Sequence, residues 1–169
     1  METIQAIFTR RSIRKFTEKK IPGEMVIRIL ETAMYAPSER NTQPWHFIVV
    51  NEKQILHKIP SIHPFADMCY EASHAVLVCG DTNIEKLEGY IALNCGAATQ
   101  NILLAVHDLG LGAVWLGVYP RKERMEPLSK LFSLPENITP VSLVAIGYPA
   151  ESKNTPDRFM IERIHYNTW

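Results

Sequence analysis

The stretch Ala36–Phe47, with the sequence APSERNTQPWHF, is a polar loop between an apolar helical pattern and an apolar run. Pro37 ends the helical pattern, because proline cannot continue a helix and also disfavours helical geometry in the residue before it. Trp45 begins the apolar run, so the polar residues between these two positions are held at both ends. Binding sites tend to lie on loops that rigid elements position in this way. The sequence therefore predicts a binding loop here.

A second polar cluster lies upstream at Arg10–Phe16, with the sequence RRSIRKF, and it contains four cations and one hydroxyl group. The chain as a whole has 18 basic and 18 acidic residues, so its formal net charge is zero. Proteins that bind nucleic acid or membrane surfaces usually carry an excess of cations. We therefore expect no nucleic acid and no membrane as partner, and we predict a local pocket for a small, flat anion.

The bulk composition is that of an ordinary globular protein, with 46% hydrophobic and 21% charged residues in a chain of 169. This length predicts one domain over residues 1–169. The apolar runs are shorter than the ~18–20 residues needed to span a bilayer, and the first residues do not resemble a secretory signal. The three cysteines form no CxxC motif. We expect a reducing, cytoplasmic compartment and no structural disulfide.

The spacing of apolar residues predicts an alternation of helices and strands. The predicted helices cover Ile4–Phe8, the segment from Pro22 to the residues before Pro37, Glu52–Ile59, Ile84–Leu109 and Lys122–Phe132. The predicted extended segments are His46–Val50, Ala75–Cys79, Ala113–Tyr119, Val141–Ile146 and Ile161–Tyr166. Nearly unbroken apolar strands indicate a sheet that is covered on both faces. The pattern alone therefore predicts a three-layer α/β protein and leaves the strand order open.

Several well-known motifs are absent or fail on inspection. Gly110-Leu111-Gly112 lacks the third glycine of a dinucleotide fingerprint, because position 115 is tryptophan. It also follows a helix and leads into a strand, which is the reverse of the order that places a phosphate on a helix N-terminus. The six histidines show no metal-binding spacing, and no acid–base dyad is visible. If the protein is an enzyme, we expect a bound organic cofactor to carry the chemistry.

Four segments, in this order along nearly the whole chain, resemble the signatures of the nitroreductase family of FMN-dependent oxidoreductases. These segments are Arg10–Phe16, Ala36–Trp45, Gly110–Gly117, and Ile146–Pro149 followed by Arg158. The resemblance implies an α+β, three-layer fold, in which a central mixed, mainly antiparallel sheet is flanked by helices. It also implies an intertwined homodimer with FMN at the subunit interface. This implication takes precedence over the α/β interpretation of the apolar pattern.

The resemblance further implies the residues that bind the cofactor. Those implied to hold the phosphate and ribityl chain of FMN are Arg10, Ser12, Arg14 and Arg158, with Arg11 beside them. Those implied to line the isoalloxazine from the other subunit are Pro37, Ser38, Glu39 and Asn41. Trp115, Leu116 and Gly117 are implied to pass the flavin edge that carries N5, with a backbone N–H donating to it.

The implied activity is ping-pong transfer of a hydride from NADH or NADPH to flavin N5, followed by reduction of an electron-poor acceptor of the nitroaromatic or quinone type. No catalytic side chain and no metal are expected. One alternative keeps the fold but changes the chemistry to reductive dehalogenation, enoyl-type reduction or flavin breakdown. Another is a non-catalytic flavin-binding or regulatory protein. The chain departs from larger members in its short Asp81–Gly89 connection, and in having Phe65–Met68 where those members place polar side chains.

Overall fold

A four-stranded antiparallel sheet with helices on both faces forms the centre of the computed structural model, which describes residues 1–169. The helices are α1 (Thr3–Thr9), α2 (Gly23–Met34), α3 (Lys53–Leu56), α4 (Glu88–Asp108) and α5 (Lys122–Leu131). The strands are β1 (Trp45–Val50), β2 (His74–Asp81), β3 (Gly112–Gly117) and β4 (Ile138–Gly147). Short 3-10 segments cover Glu39–Asn41, Ile59–Ser61, Asp67–Tyr70 and Ile161–Arg163.

The strand order is β1-β2-β4-β3, and each neighbouring pair is antiparallel. The only parallel pairing is an isolated bridge between Ser12 and Ala113, outside the named strands. The expectation of a mainly antiparallel sheet flanked by helices is confirmed. The α/β class that the apolar pattern alone predicted is wrong, because an antiparallel sheet covered by helices on both faces also has strands that are apolar throughout.

Alternation along the central strands divides the hydrophobic core between the two faces of the sheet. Val76 of β2 packs in the cluster formed with α2 and α4, whereas the neighbouring Leu77 packs in the cluster that contains Leu56 and Leu128. All four side chains are fully or almost fully buried. Each such aliphatic side chain contributes about 1.5–3 kcal/mol on transfer from water. Both faces therefore stabilise the sheet, as the apolar strand pattern indicated.

The central helix α4 is shorter at its start than the pattern predicted. The predicted helix began at Ile84, but the Glu85 side chain accepts a hydrogen bond from the Leu87 N–H at 2.9 Å and holds this connection in a turn. The helix ends as predicted, because Gly110 adopts a left-handed φ of 72° just beyond it. Neither α4 nor any other helix is both long and apolar enough to cross a lipid bilayer.

Two smaller differences follow from local chemistry. The helix predicted over Glu52–Ile59 is α-helical only over Lys53–Leu56, since Pro60 prevents continuous helix formation and a 3-10 segment follows. The tail predicted to be extended over Ile161–Tyr166 begins instead with a 3-10 turn. Neither difference changes the sheet.

Two glycines of the sheet allow the arginine-rich segment to lie close against it. A Cβ atom at Gly112 would lie 2.9 Å from the Cβ of Ile13, and one at Gly147 would lie 2.7 Å from the ring of Phe16. Such distances are shorter than real Cβ contacts. Both positions therefore require glycine, because the backbone approaches a neighbouring side chain closely.

We predict that Gly147→Ala destabilises the protein by about 1–3 kcal/mol, because the added methyl group would displace the buried Phe16 ring. Gly89→Ala is the matched control, since a Cβ atom at Gly89 meets nothing within 4 Å. Urea unfolding of both variants measures the difference. Equal unfolding free energies for the two variants would contradict the close packing at Gly147.

Three shielded histidines predict how stability depends on pH. Burial is the main cause that lowers the pKa of His63, His74 and His107 from the ordinary value of 6.5. The unfolded chain therefore takes up protons before the native protein does, and the unfolding free energy falls as the pH drops below about 6.5. The slope is at most about 1.4 kcal/mol per pH unit for each histidine. At higher pH this contribution is constant.

Urea unfolding between pH 5 and 8 measures this slope. His74→Asn should reduce it, because one group with a lowered pKa is removed. His57→Asn is the matched control for the substitution itself, because His57 is exposed. If His74→Asn and the wild type lose stability equally on acidification, His74 does not contribute to the pH dependence.

Candidate functional site

The arginine-rich segment Arg10–Lys15 is held in place by the chain that follows β4. Lys153 Nζ donates to the Ser12 carbonyl at 2.7 Å, and the Arg14 backbone N–H donates to Glu151 Oε1 at 2.6 Å. The Arg14 hydrogen bond is the main cause that lowers the pKa of the Glu151 carboxyl, which stays ionised. This part of the C-terminal segment therefore fixes the backbone from which the cationic side chains project.

Three guanidinium groups converge at this segment without a carboxylate partner. Burial, followed by the charges of Arg11 and Arg158, lowers the pKa of Arg10. None of these three arginines, nor Arg14, forms an ion pair with an acidic side chain. Like charges that are held together and partly shielded from water favour a bound anion, and arginine forks match phosphate oxygens. The structure thus brings Arg10 near Arg11 and Arg158, which the family resemblance had placed at one site.

The side chain of Arg11 differs from the others because its donors are already used within the chain. Its Nε donates to the Asn154 carbonyl at 3.0 Å, and its two terminal nitrogens donate to the carbonyls of Arg10 and Phe8. Arg11 therefore ties α1 to the C-terminal segment. A cavity of about 330 Å³ lies beside it, with Arg10 and His107 in its wall.

The outer edge of β3 offers unpaired backbone amides next to the arginines. β3 is an edge strand, and Val118 N–H bonds to β4, which places Trp115 and Gly117 with their amides facing away from the sheet. Ile13 N–H bonds to the Ala113 carbonyl at 2.9 Å on the same outer edge. Beyond that bond, the N–H groups of Trp115 and Gly117 remain free to donate.

The residues Trp115, Leu116 and Gly117 of β3 differ in how exposed they are and in what surrounds them. A Cβ atom at Gly117 would meet nothing within 4 Å, so the space beside this glycine is open. Trp115 is 39% exposed, and its ring lies 3.7 Å from the position of a Cβ atom at Gly96 on α4. The side chain of Leu116 is buried in the core, and its backbone pairs with Leu143 of β4. The amides of Trp115 and Gly117 are therefore the groups available to a ligand here.

The predicted binding loop Pro37–Asn41 is anchored to α4. The Glu39 backbone N–H donates to Asn94 Oδ1 at 3.0 Å, and the Ser38 hydroxyl accepts from the Gln43 backbone N–H at 3.0 Å. Asn94 is buried, and its amide nitrogen has no hydrogen-bond partner in the chain. Sequence patterns gave no reason to select Asn94, which lies on an apolar helix. The anchoring leaves Pro37 and Asn41 exposed.

This loop is locally strained and lies far from the arginines. Arg40, Asn41 and Gln43 have φ angles of 49°, 57° and 50°, in the left-handed region that costs about 1–2 kcal/mol for a residue with a Cβ atom. The loop leads into β1, at the opposite edge of the sheet from β3, which is three strand spacings or about 14 Å away. One chain therefore does not bring the loop to the arginine segment.

Two residues without any sequence signal contact the far end of the β3 edge. His63 and Arg124 both reach the Gly117 carbonyl, at 3.0 and 2.7 Å. Phe65, which stands where larger family members place polar side chains, is 68% exposed and lies beside Arg124. In the same segment Met68 is buried. No motif spacing joins His63 to Arg124, so only the fold could reveal this pair.

The arrangement suits a ligand that is anionic at one end and flat at the other. The arginines offer donors for a phosphate group, and the free amides of β3 offer donors for the edge of a planar heterocycle. The absence of a Cβ atom at Gly117 permits close approach to that edge.

Comparison with known proteins agrees with this geometry. A family model described as the nitroreductase family matches residues 7–78 and 67–148. A protein from Methanothermobacter thermautotrophicus, provisionally named NADH dehydrogenase/NAD(P)H nitroreductase, is 48% identical over 169 residues, which cover 100% of this chain and 88% of that relative.

Solved structures agree as well. A crystal structure from Parabacteroides distasonis, with the same provisional name, has a TM-score of 0.95 and 36% identity over 99% of this chain and 98% of that one. A structure from Desulfovibrio desulfuricans, described as a nitroreductase in complex with FMN, has a TM-score of 0.86 and 31% identity over 100% and 99% of the two chains. The chain belongs to the nitroreductase family.

Proposed function

We propose that this protein is an FMN-dependent oxidoreductase that takes electrons from NADH or NADPH and passes them to an electron-poor acceptor of the nitroaromatic or quinone type. The observation that carries the proposal is the meeting of an unpaired arginine cluster with the free amides of β3. The names of the relatives and the FMN in the Desulfovibrio structure support it. The working unit is a homodimer of single-domain chains, residues 1–169, in a reducing cytoplasm.

The residues of this chain fit the two ends of FMN. In this proposal, Arg10, Arg14 and Arg158 hold the phosphate, and Ser12 contributes its hydroxyl group. Each charge-assisted hydrogen bond contributes roughly 1.5–3 kcal/mol net, so a few of these bonds can dominate the affinity. The three buried cysteines are free thiols, consistent with a reducing compartment.

The isoalloxazine end is bound by two chains in this proposal. Gly117 and Trp115 present backbone donors along one edge of the ring, and Leu116 fixes their register by packing in the core. Pro37, Ser38, Glu39 and Asn41 line the ring from the other subunit, because their own arginine segment lies at the opposite edge of the sheet.

The mechanism assigns binding and orientation to the protein and no catalytic side chain. FMN, when bound, would supply the redox chemistry between the nicotinamide and the acceptor, which no side chain of this protein supplies. The arginines fix the phosphate end and thereby orient the ring plane. The Gly117 N–H would donate to the ring, because it is a preorganised donor that costs no reorganisation during reaction. The partner's loop excludes water from the ring on that side.

The first test is the visible spectrum of the purified protein under anaerobic conditions, before and after addition of NADPH and then NADH. We expect a flavin spectrum that bleaches with at least one of the two nicotinamides. Addition of a nitroaromatic or a quinone should then restore the spectrum of the oxidised flavin. The sequence offers no determinant that favours one nicotinamide over the other.

The other outcomes are equally informative. A flavin spectrum that persists with both nicotinamides would contradict the proposed reductant and favour the non-catalytic alternative. Bleaching that only a halogenated or enoyl substrate reverses would favour the alternatives of the same fold. A colourless protein that also fails to take up added FMN would overturn the cofactor assignment.

We predict that Arg10→Ala and Asn41→Ala each weaken FMN binding at least about tenfold, which corresponds to about 1.4 kcal/mol. Arg10 loses a phosphate contact, whereas Asn41 loses a ring contact in the other site of the dimer. Mixed dimers of the two variants should therefore regain one intact site. Fluorescence titration of FMN into each homodimer and into the mixed dimer measures these affinities.

Arg163→Ala is the matched control, because Arg163 is an exposed arginine in the same C-terminal segment as Arg158. It should bind FMN like the wild type. Unchanged affinity in Arg10→Ala would remove Arg10 from the phosphate site. Mixed dimers without a tight site would contradict the assignment of the loop to the partner's cofactor.

A further inference from the structure

We propose that His63 and Arg124 are positioning residues that hold the Gly117 carbonyl and thereby fix the β3 edge against the flavin. This inference rests on the proposed function and assigns two residues to that site that no family signature contains. His63 Nε2 lies 3.0 Å from the Gly117 carbonyl oxygen, and Arg124 Nη1 lies 2.7 Å from it. One carbonyl therefore receives two donors, and one of them carries a full positive charge.

The hydrogen bonds around His63 define which of its nitrogens carries the proton. The Phe65 backbone N–H donates to His63 Nδ1 at 3.2 Å, so Nδ1 is the acceptor and Nε2 carries the hydrogen. Arg124 Nη1 lies 3.1 Å from His63 Nε2, because both nitrogens donate to the same carbonyl oxygen. His63 is 99% buried, with 1% of its surface exposed. A buried neutral imidazole with both nitrogens engaged is a rigid support.

No acidic side chain explains the position of the Arg124 guanidinium group. It forms no ion pair with a carboxylate, and its Nε atom is buried without a hydrogen-bond partner. Its guanidinium lies over the exposed ring of Phe65, 5.8 Å from the ring centre. A cation partly removed from water and lacking an acidic partner is costly. Its charge is directed at one peptide group, that of Gly117.

Glycine makes this support necessary. Gly117 has no Cβ atom to limit its backbone angles, and it lies at the end of an edge strand without a neighbouring strand outside it. Its N–H and C=O point to the same outer side of the strand. The carbonyl and the N–H of Gly117 belong to successive peptide units, so holding the carbonyl restricts the Gly117 backbone angles between them and thereby the direction of the N–H. Ile13 holds the other end of the same edge through the Ala113 carbonyl.

The charge of Arg124 gives the pair a second effect. A cation at the Gly117 carbonyl lies one peptide unit from the N–H proposed to contact the flavin, and it would stabilise the reduced cofactor, which carries more negative charge than the oxidised form. Removal of this charge should therefore lower the reduction potential of bound FMN. A purely structural contact would not produce an effect that follows the charge at position 124.

The test is the midpoint potential of FMN-loaded protein, measured for Arg124→Gln, Arg124→Lys and Arg121→Gln. Arg124→Gln should shift the equilibrium between reduced and oxidised flavin about tenfold toward the oxidised form, or about 30 mV for a two-electron couple. Arg124→Lys should retain most of the wild-type potential. Arg121→Gln removes an exposed cation next to α5 that does not reach Gly117, and it should match the wild type.

A second measurement does not depend on the flavin. In FMN-free protein, the carbonyl ¹³C resonance of Gly117 should shift in His63→Gln and Arg124→Gln but not in Arg121→Gln. Glutamine at position 63 is polar, so the variant is expected to fold, but it lacks the imidazole ring that places Nε2 at the Gly117 carbonyl. An unshifted Gly117 resonance in both test variants would overturn the carbonyl contact.

The outcomes separate this inference from the proposed function. A wild-type protein that takes up no FMN would overturn the proposed function itself. A wild-type protein that binds FMN, together with equal potentials in Arg124→Gln and Arg121→Gln, would overturn the positioning role alone. A lowered potential confined to Arg124→Gln supports it.

Discussion

The hydrogen bond from the Ile13 N–H to the Ala113 carbonyl is the constraint on which the rest of the site depends. It attaches the arginine-rich segment to the open edge of β3, and the close approach at Gly112 makes room for it. From this point the segment runs past β4, where Phe16 packs on Gly147 and the C-terminal segment adds Glu151 and Lys153. The arginines are therefore placed by backbone contacts, and among them only Arg11 uses its side-chain donors within the protein.

The close grouping of these arginines has an energetic consequence. Burial, and after it the charges of Arg11 and Arg158, lowers the pKa of Arg10 and so disfavours its charged form. The left-handed residues Arg40 and Gln43 add backbone strain in the second signature loop. Both costs fall on residues whose positions the core and the anchoring hydrogen bonds over-determine. A bound anion would relieve the repulsion, so the ligand and the native state stabilise each other.

The sequence was sufficient to predict features that depend on local chemistry or on a dense motif. The apolar strands and the stop at Gly110 followed from residue type and order, whereas the grouping of Arg10 with Arg158 was an implication of the family resemblance. The pairing of His63 with Arg124 could not be predicted, because 61 residues separate them and no motif spacing joins them. Their meeting depends on how α5 packs beside the end of β3. The apolar pattern likewise could not determine strand direction, since burial on both faces does not distinguish parallel from antiparallel pairing.

The short connection between β2 and α4 determines how the proposed site can select its acceptor. This connection has only six residues, 82–87, and it turns directly into α4 through Glu85. It therefore adds no layer over Trp115, which stays 39% exposed. Under the proposed function, the ring is held along its edge by β3 and at its phosphate by arginines, which leaves its face to be covered by the second subunit. Selectivity then depends on the partner's loop more than on this chain's own pocket, because edge contacts orient a ring without limiting what stacks on it.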